Sequence, residues 1–346
     1  MDQLLPALGR LALDPEAALA ERVAPLLYFR DPENASPRNR KAYYESAARN
    51  VTLLDALDEL TAELGSRGIR PIVLKGADFA SSLYPTPALR PMSDLDLWVE
   101  PGEVEKAEAV LDSLGYRPAV PEMTPGLARA IRHARLYVGG ARNEVGVDLH
   151  WSLVGHDTDR RAPSLDWFRA RSCGSRLDAT AHLLYLAAHM KLQHYDERVP
   201  LLWLCDFCLL SRSPSLDFDE LFEAARSFGW EAALAATCAE VEKRLGVELP
   251  APLASPASEA SAPTPAMKGG PERAWNELST LSFQGRAALI KAYLLPSPSY
   301  VRFKYRPRPH WAWPLCYPLR WARLLASAAS LVARPRRSRL LLSHPR

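Results

Sequence analysis

The sequence predicts an α+β protein, with a small mixed β-sheet core flanked by N-terminal helices and a C-terminal helical domain. Three observations predict it. Between residues 67 and 155, short apolar strand-like runs are interleaved with short helical stretches. On either side, from Met1 to Gly65 and from Ser164 to Val247, apolar residues recur at helical spacing. Within the middle part, Ser93-Asp94-Leu95-Asp96-Leu97-Trp98-Val99 alternates polar with apolar residues, as a strand with one buried face does.

Each element follows from local signals. Ala42 to Leu64 carries Ala48, Val51, Leu54, Leu57 and Leu64 at roughly helical spacing, and Gly65 and Gly68 end that helix. A strand follows within Ile69 to Leu74 and stops at Lys75-Gly76. Ala77 to Tyr84 is expected as a short helix, and Pro85, Pro87 and Pro91 make a stiff connection because each fixes its own φ. The strand Asp94 to Val99 comes next. Pro101 opens a helix over Glu103 to Leu114. Two further strands, Ala134 to Val138 and Glu144 to Trp151, are joined through a turn holding Gly139, Gly140 and Asn143.

Helices are then expected at Ala179 to Gln193, Leu201 to Leu210, Phe218 to Phe228 and Glu231 to Leu245. Pro250 to Pro271 is rich in Pro, Ala, Ser and Gly and reads as a flexible linker. One helix, Ala274 to Leu295, and a basic, aromatic segment complete the chain. The expected division is an N-terminal helical region at 1–66, a catalytic core at 67–155, a helical domain at 156–249, the linker at 250–272 and the C-terminal segment at 273–346.

Composition narrows the class. Five cysteines, odd in number and unpatterned, exclude a disulfide framework. Cys205 and Cys208 form a C-x-x-C inside an apolar helical pattern with no second ligand pair, and read as two buried structural thiols. No signal peptide and no membrane-length apolar run is present, so the expectation is a cytoplasmic protein. From Leu278 to Arg346 there is no Asp or Glu and there are 13 Lys or Arg; the first 277 residues carry 30 basic and 40 acidic residues, a net −10. Aromatic and basic residues interleave in that tail, from Tyr300 to Arg306 and around Trp311, Trp313 and Trp321. It suits packing on the acidic body, a partner protein, or an anionic surface such as the inner membrane. Nucleic acid is disfavoured, because Trp and Leu exceed what phosphate tracking needs.

The chemistry rests on carboxylates. In a strand Asp94 and Asp96 project from one face, and two neighbouring carboxylates repel unless a cation holds them. Mg²⁺ takes oxygen ligands of this kind and leaves positions for water and phosphate. Asp148 stands in a second alternation, Val145-Gly146-Val147-Asp148-Leu149-His150-Trp151. If the two strands are neighbours, three carboxylates meet at one sheet edge as a Mg²⁺- or Mn²⁺-dependent phosphoryl-transfer site. Gly76 would admit a phosphate at the following helix N-terminus, with Lys75 as a point charge against a triphosphate. Arg90 reaches either a phosphate or the carboxylates. His150 faces the same way as Asp148 and contacts base, phosphate or acceptor, or simply hydrogen-bonds beside the site. The helix carrying His182, His189, Lys191 and His194 is the expected second wall, with His189 and Lys191 towards nucleotide or acceptor; its spacing does not suit zinc.

The run Leu74-Lys75-Gly76, then Leu89-Arg90-Pro91-Met92-Ser93-Asp94-Leu95-Asp96-Leu97-Trp98-Val99, then Val147-Asp148-Leu149-His150-Trp151 resembles the nucleotidyltransferases of the DNA polymerase beta superfamily. More narrowly, it is similar to a bacterial nucleotidyltransferase family often found with peptide or polysaccharide biosynthesis genes. The resemblance spans about Arg40 to Leu210. It implies that Asp94 and Asp96 are shared ligands of two metals, that Asp148 is the third carboxylate, and that the substrate is a nucleoside triphosphate. Those enzymes carry Gly-Ser after the first strand; here it is Gly76-Ala77, and Lys75 or Ser93 is left to replace the hydroxyl. The implied function is Mg²⁺-dependent transfer of a nucleotidyl group to a small-molecule or peptide acceptor. Two alternatives share the site: nucleotidylation of a protein, and a catalytically weak nucleotide-binding scaffold.

Overall fold

The computed structural model describes residues 1–140, 145–154, 164–194, 198–254 and 283–333. Four helices open the chain: α1 Leu4–Arg10, α2 Pro15–Ala20, α3 Ala24–Arg30 and α4 Pro37–Ser66. α4 begins where Ser36 Oγ accepts the Asn39 amide proton at 3.1 Å and Pro37 occupies the first turn, the position at which a missing N–H costs nothing. The sheet region follows as β1 Ile72–Leu74, α5 Gly76–Ser82, β2 Asp94–Trp98, α6 Val104–Ser113, β3 Arg117–Pro118, α7 Leu127–Ile131, β4 Ala134–Gly139 and β5 Val145–His150. After it come α8 Leu165–Ala170, β6 Ser172–Cys173, β7 Arg176–Leu177, α9 Ala179–Ala188, a π-helical turn at His189–Gln193, α10 Leu201–Leu210, α11 Phe218–Phe228 and α12 Glu231–Leu245. The expected α+β class holds, and the boundaries of α10, α11 and α12 fall where the periodicity put them.

The strands form one mixed seven-stranded sheet in the order β3-β4-β5-β2-β1-β7-β6. Three of the strands, β3, β6 and β7, span two residues each and are too short to leave a period-2 signal. β2 lies between β1, antiparallel, and β5, parallel. On one face Ile72, Leu74 and Trp98 join a large core with Phe79, Leu183, Leu184, Phe207 and the N-terminal Leu4, Leu8 and Leu26. Leu95, Leu97 and Val99 are buried on the opposite face, where α4 packs on β2 and β5. α10 is apolar on every side except at the buried Asp206 and packs among α1, α9 and α12, the pattern of a core helix. Cys205 and Cys208 are free thiols inside it, both buried.

Chain packing forms two compact units. One holds residues 1–119 and 132–266, the other 120–131 and 267–346. The five-segment division read from the sequence is linear, whereas the packing takes 120–131 out of the sheet region and groups it with the C-terminal segment. Asn143 of the expected turn, the linker from residue 255 onward and the first part of the helix Ala274 to Leu295 lie outside the described residues. The described part of that helix is Phe283–Leu294. Among the described residues no helix is long and apolar enough to cross a membrane.

Candidate active site

Register places the aspartates. In the parallel pair β2–β5, Asp96 stands opposite Asp148, Asp94 opposite Gly146 and Trp98 opposite His150. Directly opposed residues share a face, so Asp94, Asp96, Asp148 and His150 form one patch. A Cβ at Gly146 would come within 3.3 Å of Asp94 Cβ, so the glycine gives the outer aspartate its room.

His150 ties the paired carboxylates together. Its Nε2 lies 3.1 Å from Asp96 Oδ1 and 3.3 Å from Asp148 Oδ2. One ligand atom each from Asp96, Asp148 and His150 falls within a common 4.8 Å. Two carboxylates and an imidazole are donors that suit a divalent cation, oxygen for Mg²⁺ or Mn²⁺ and nitrogen for the transition-metal end of that range. Burial opposes charge on His150, yet Asp148 and Asp96 outweigh it and raise its pKa to about 9. Burial likewise opposes charge on Asp96, but the Lys75 ammonium and His150 hold the carboxyl well below the usual carboxylate range. Asp148 is lowered too, His150 overcoming the effect of burial. Asp94 behaves differently. Burial and the neighbouring Asp96 push it up, although Ser93 Oγ donates to its Oδ1 at 2.8 Å.

Lys75 enters this patch from β1. Its Nζ sits 2.8 Å from Asp96 Oδ1 and 3.5 Å from His189 Nε2. The backbone there is unusual, with φ +46° and ψ −113°, a conformation that costs a non-glycine residue on the order of 1–3 kcal/mol. The surroundings hold it: Lys75 N–H donates to His182 Nε2 at 3.0 Å, and His182 Nδ1 lies 3.2 Å from Asp78 Oδ2. His182 and His189 therefore converge on one residue, the first on its backbone and the second on its ammonium. Burial and the nearby Lys75 ammonium keep His189 well below the usual imidazole value. As a neutral ring it donates from Nδ1 to Gln193 Oε1 at 2.8 Å and offers Nε2 to the lysine.

His189 and Gln193 belong to the π-helical turn that ends α9, a distortion frequent at functional sites. The same turn sends Lys191 elsewhere, into an ion pair with Glu240 that also engages Arg244. The expected second wall thus presents His189 to the carboxylates and Lys191 to α12. Beside His189 stand Tyr185, His194 and Trp203, with ring centroids 5.9, 4.8 and 5.2 Å away.

Arg90 is placed in a different network. Its Nη2 and Nε lie 2.8 and 3.2 Å from Asp206 Oδ2, and Tyr84 Oη donates to Asp206 Oδ1 at 2.7 Å. Both charged residues are buried. Gly76 is packed over this pair: a Cβ there would meet Arg90 Nη1 at 2.8 Å. Gly76 and Ala77 are themselves buried, so the glycine is explained by the arginine beneath it. Ser93 is exposed at the mouth, where its carbonyl accepts from Arg49 Nη2 at 3.1 Å.

The sequence reading overlooked Arg22 and Tyr185. Arg22, between α2 and α3 with φ +59°, donates to Pro91 O at 3.2 Å and has no carboxylate ion pair among the described residues. Burial and the proximity of Arg90 lower its pKa, while Asp94 acts in the other direction. Nothing in the local sequence marks it. Tyr185 did carry a signal, four residues before His189 on one helix face; its ring lies 5.9 Å from Lys75 Nζ.

A sequence model of a family described as "Uncharacterised nucleotidyltransferase" matches residues 16–246, which runs from the first turn of α2 to the end of α12 and takes in every residue of the patch. No curated protein matches the chain.

Proposed function

Because the chain belongs to that nucleotidyltransferase family, we propose that it transfers a nucleoside monophosphate from a nucleoside triphosphate to a small-molecule or peptide acceptor, with Mg²⁺ or Mn²⁺ bound by Asp96, Asp148 and His150. The observation that carries this reading is the register of β2 and β5, which sets Asp96 against Asp148 with His150 bridging them. When bound, the cation would supply positive charge to the phosphoryl oxygens and lower the pKa of an acceptor hydroxyl.

The protein groups have separable tasks. Asp148 is the more exposed of the paired carboxylates, with 29% of its side chain accessible against 11% for Asp96. We assign it the task of taking the proton of the acceptor. An acceptor oxygen then forms its bond to the α-phosphorus as the bond to the pyrophosphate oxygen breaks. Asp94 and Ser93, at the open end, flank the triphosphate with its accompanying cation. Lys75 and Arg22 supply positive charge to the phosphates, Lys75 after leaving Asp96. Behind buried Tyr185 and His189, the half-buried rings of His194 and Trp203 offer faces for a nucleobase to stack on. Lys191 and Arg90, held in their own ion pairs, act on the shape of the protein.

The test is pyrophosphate release from each nucleoside triphosphate, with extract of the native host as acceptor source. Asp148→Asn keeps the side-chain shape and should lower the rate by on the order of 10²–10⁴-fold. Wild-type release no greater than that of Asp148→Asn, with every nucleotide and extract, would refute transfer and favour a scaffold that only binds nucleotide.

A further inference from the structure

The C-terminal unit carries an apolar surface with no counterpart in the catalytic chemistry. Helix Cys316–Ala333 is pinned by one side. Tyr317 Oη donates to Pro296 O at 2.6 Å and Arg320 Nε to Tyr293 O at 2.7 Å, and Cys316 and Arg320 are buried. Trp321 Nε1 donates to Leu294 O at 2.7 Å at the edge of that side; at about 100° per residue the opposite side collects Pro318, Leu319, Ala322, Leu325 and Ala326, with Leu315 just before the helix, all exposed. Leu315 is 68% exposed, Leu325 72%, and Trp311, just before the helix, 75%. A leucine exposed singly is ordinary; a continuous stripe of them marks an interaction site.

Charge identifies the occupant. Arg302, Lys304, Arg306, Arg308 and Arg323 of the same unit are exposed, and the unit carries 16 Lys or Arg against three acids, Glu122, Glu272 and Glu277, with none from Leu278 onward. Leucine and tryptophan side by side with an excess of arginine is the combination that lies in the interface of an anionic bilayer, rings and aliphatic chains among the acyl boundary and cations at the headgroups. An acidic protein groove would meet the charge but does not call for a solvent-facing apolar stripe of this length. We propose that the helix Cys316–Ala333, with Trp311 and Leu315 before it, docks the protein on an anionic lipid surface, lying in its plane and not spanning it.

The experiment is flotation of the full chain with vesicles of phosphatidylcholine alone and of phosphatidylcholine with one third phosphatidylglycerol. Wild type should bind the anionic vesicles, and binding should fall steeply with added salt. The variant Leu315→Ser/Leu319→Ser/Leu325→Ser, altered only at exposed positions, should lose that binding. Arg302→Gln/Lys304→Gln leaves the apolar stripe untouched and should weaken it by about fivefold for each cation removed. Failure of wild type to float with anionic vesicles would overturn the proposal. So would equal binding to both vesicle types, or retention of binding by the leucine variant. Lipid-independent self-association abolished by the same leucine changes would assign the stripe to a second copy of this chain.

Discussion

The ammonium of Lys75 lies 2.8 Å from Asp96 Oδ1, on a carboxylate whose other neighbours are Asp148 and His150. A lysine therefore holds part of the charge that a cation would otherwise compensate. It can do so because its backbone is fixed by His182 in a conformation lysine rarely adopts. His189 Nε2, 3.5 Å from the same ammonium, gives the side chain a second acceptor within reach.

Lys75→Met should tighten Mn²⁺ binding. Two like charges about 4 Å apart cost about 4 kcal/mol at an effective dielectric near 20, so removal of the competing ammonium should improve affinity by on the order of tenfold or more. Triphosphate affinity should fall in the same variant. Calorimetric titration of each ligand checks both. Weaker Mn²⁺ binding in Lys75→Met would mean that the lysine organises the carboxylates and does not compete for them.

The pairing of His150 with the aspartates gives a pH dependence with a defined sign. Its folded pKa of about 9 lies above the unfolded value of about 6.5, so the protonated ring stabilises the fold. That contribution is complete below pH 6.5 or so and is lost as pH rises through about 9. It is on the order of 3 kcal/mol. Urea unfolding of wild type and His150→Gln, both in chelator, should show a stability gap that narrows over this range. A gap constant with pH would remove the charge from His150.

Asp206→Ala should destabilise the protein by about 3–5 kcal/mol, because it strands the buried Arg90 guanidinium and leaves the Tyr84 hydroxyl without its acceptor. Denaturant unfolding reads this directly. A variant of undiminished stability but poor triphosphate affinity would return Arg90 to the nucleotide.

What was legible in the sequence was whatever a short window contains. The alternation around Asp94 and Asp96 and around Asp148 and His150 placed both strands and the face these residues share, since period 2 leaves no other arrangement. Three strands of two residues left no such trace. Pairings between distant segments were closed to this reading. Arg90 and Asp206 are 116 residues apart, and the lysine at position 75 is positioned by histidines on α9 and the turn after it. His189 and Lys191 were both expected towards nucleotide or acceptor; two residues apart on a helix they do not face the same way, and the structure gives His189 to Lys75 and Lys191 to Glu240. Gly76 read as room for a phosphate, and the structure supplies a nearer reason in Arg90 Nη1 beneath it. His150 shared a face with Asp148 in the sequence already, but only the register with Asp96 shows that it touches both carboxylates.

The central claim, that Asp96, Asp148 and His150 together hold a divalent cation, is tested most directly by pulsed electron paramagnetic resonance of the Mn²⁺-loaded protein. Wild type should bind Mn²⁺ with a nitrogen coupling from a directly ligated imidazole. His150→Gln should lose the coupling, and Asp96→Asn and Asp148→Asn should each weaken the binding by at least about tenfold. Mn²⁺ held equally well by both aspartate variants, or a wild-type spectrum without nitrogen coupling, would contradict the assignment.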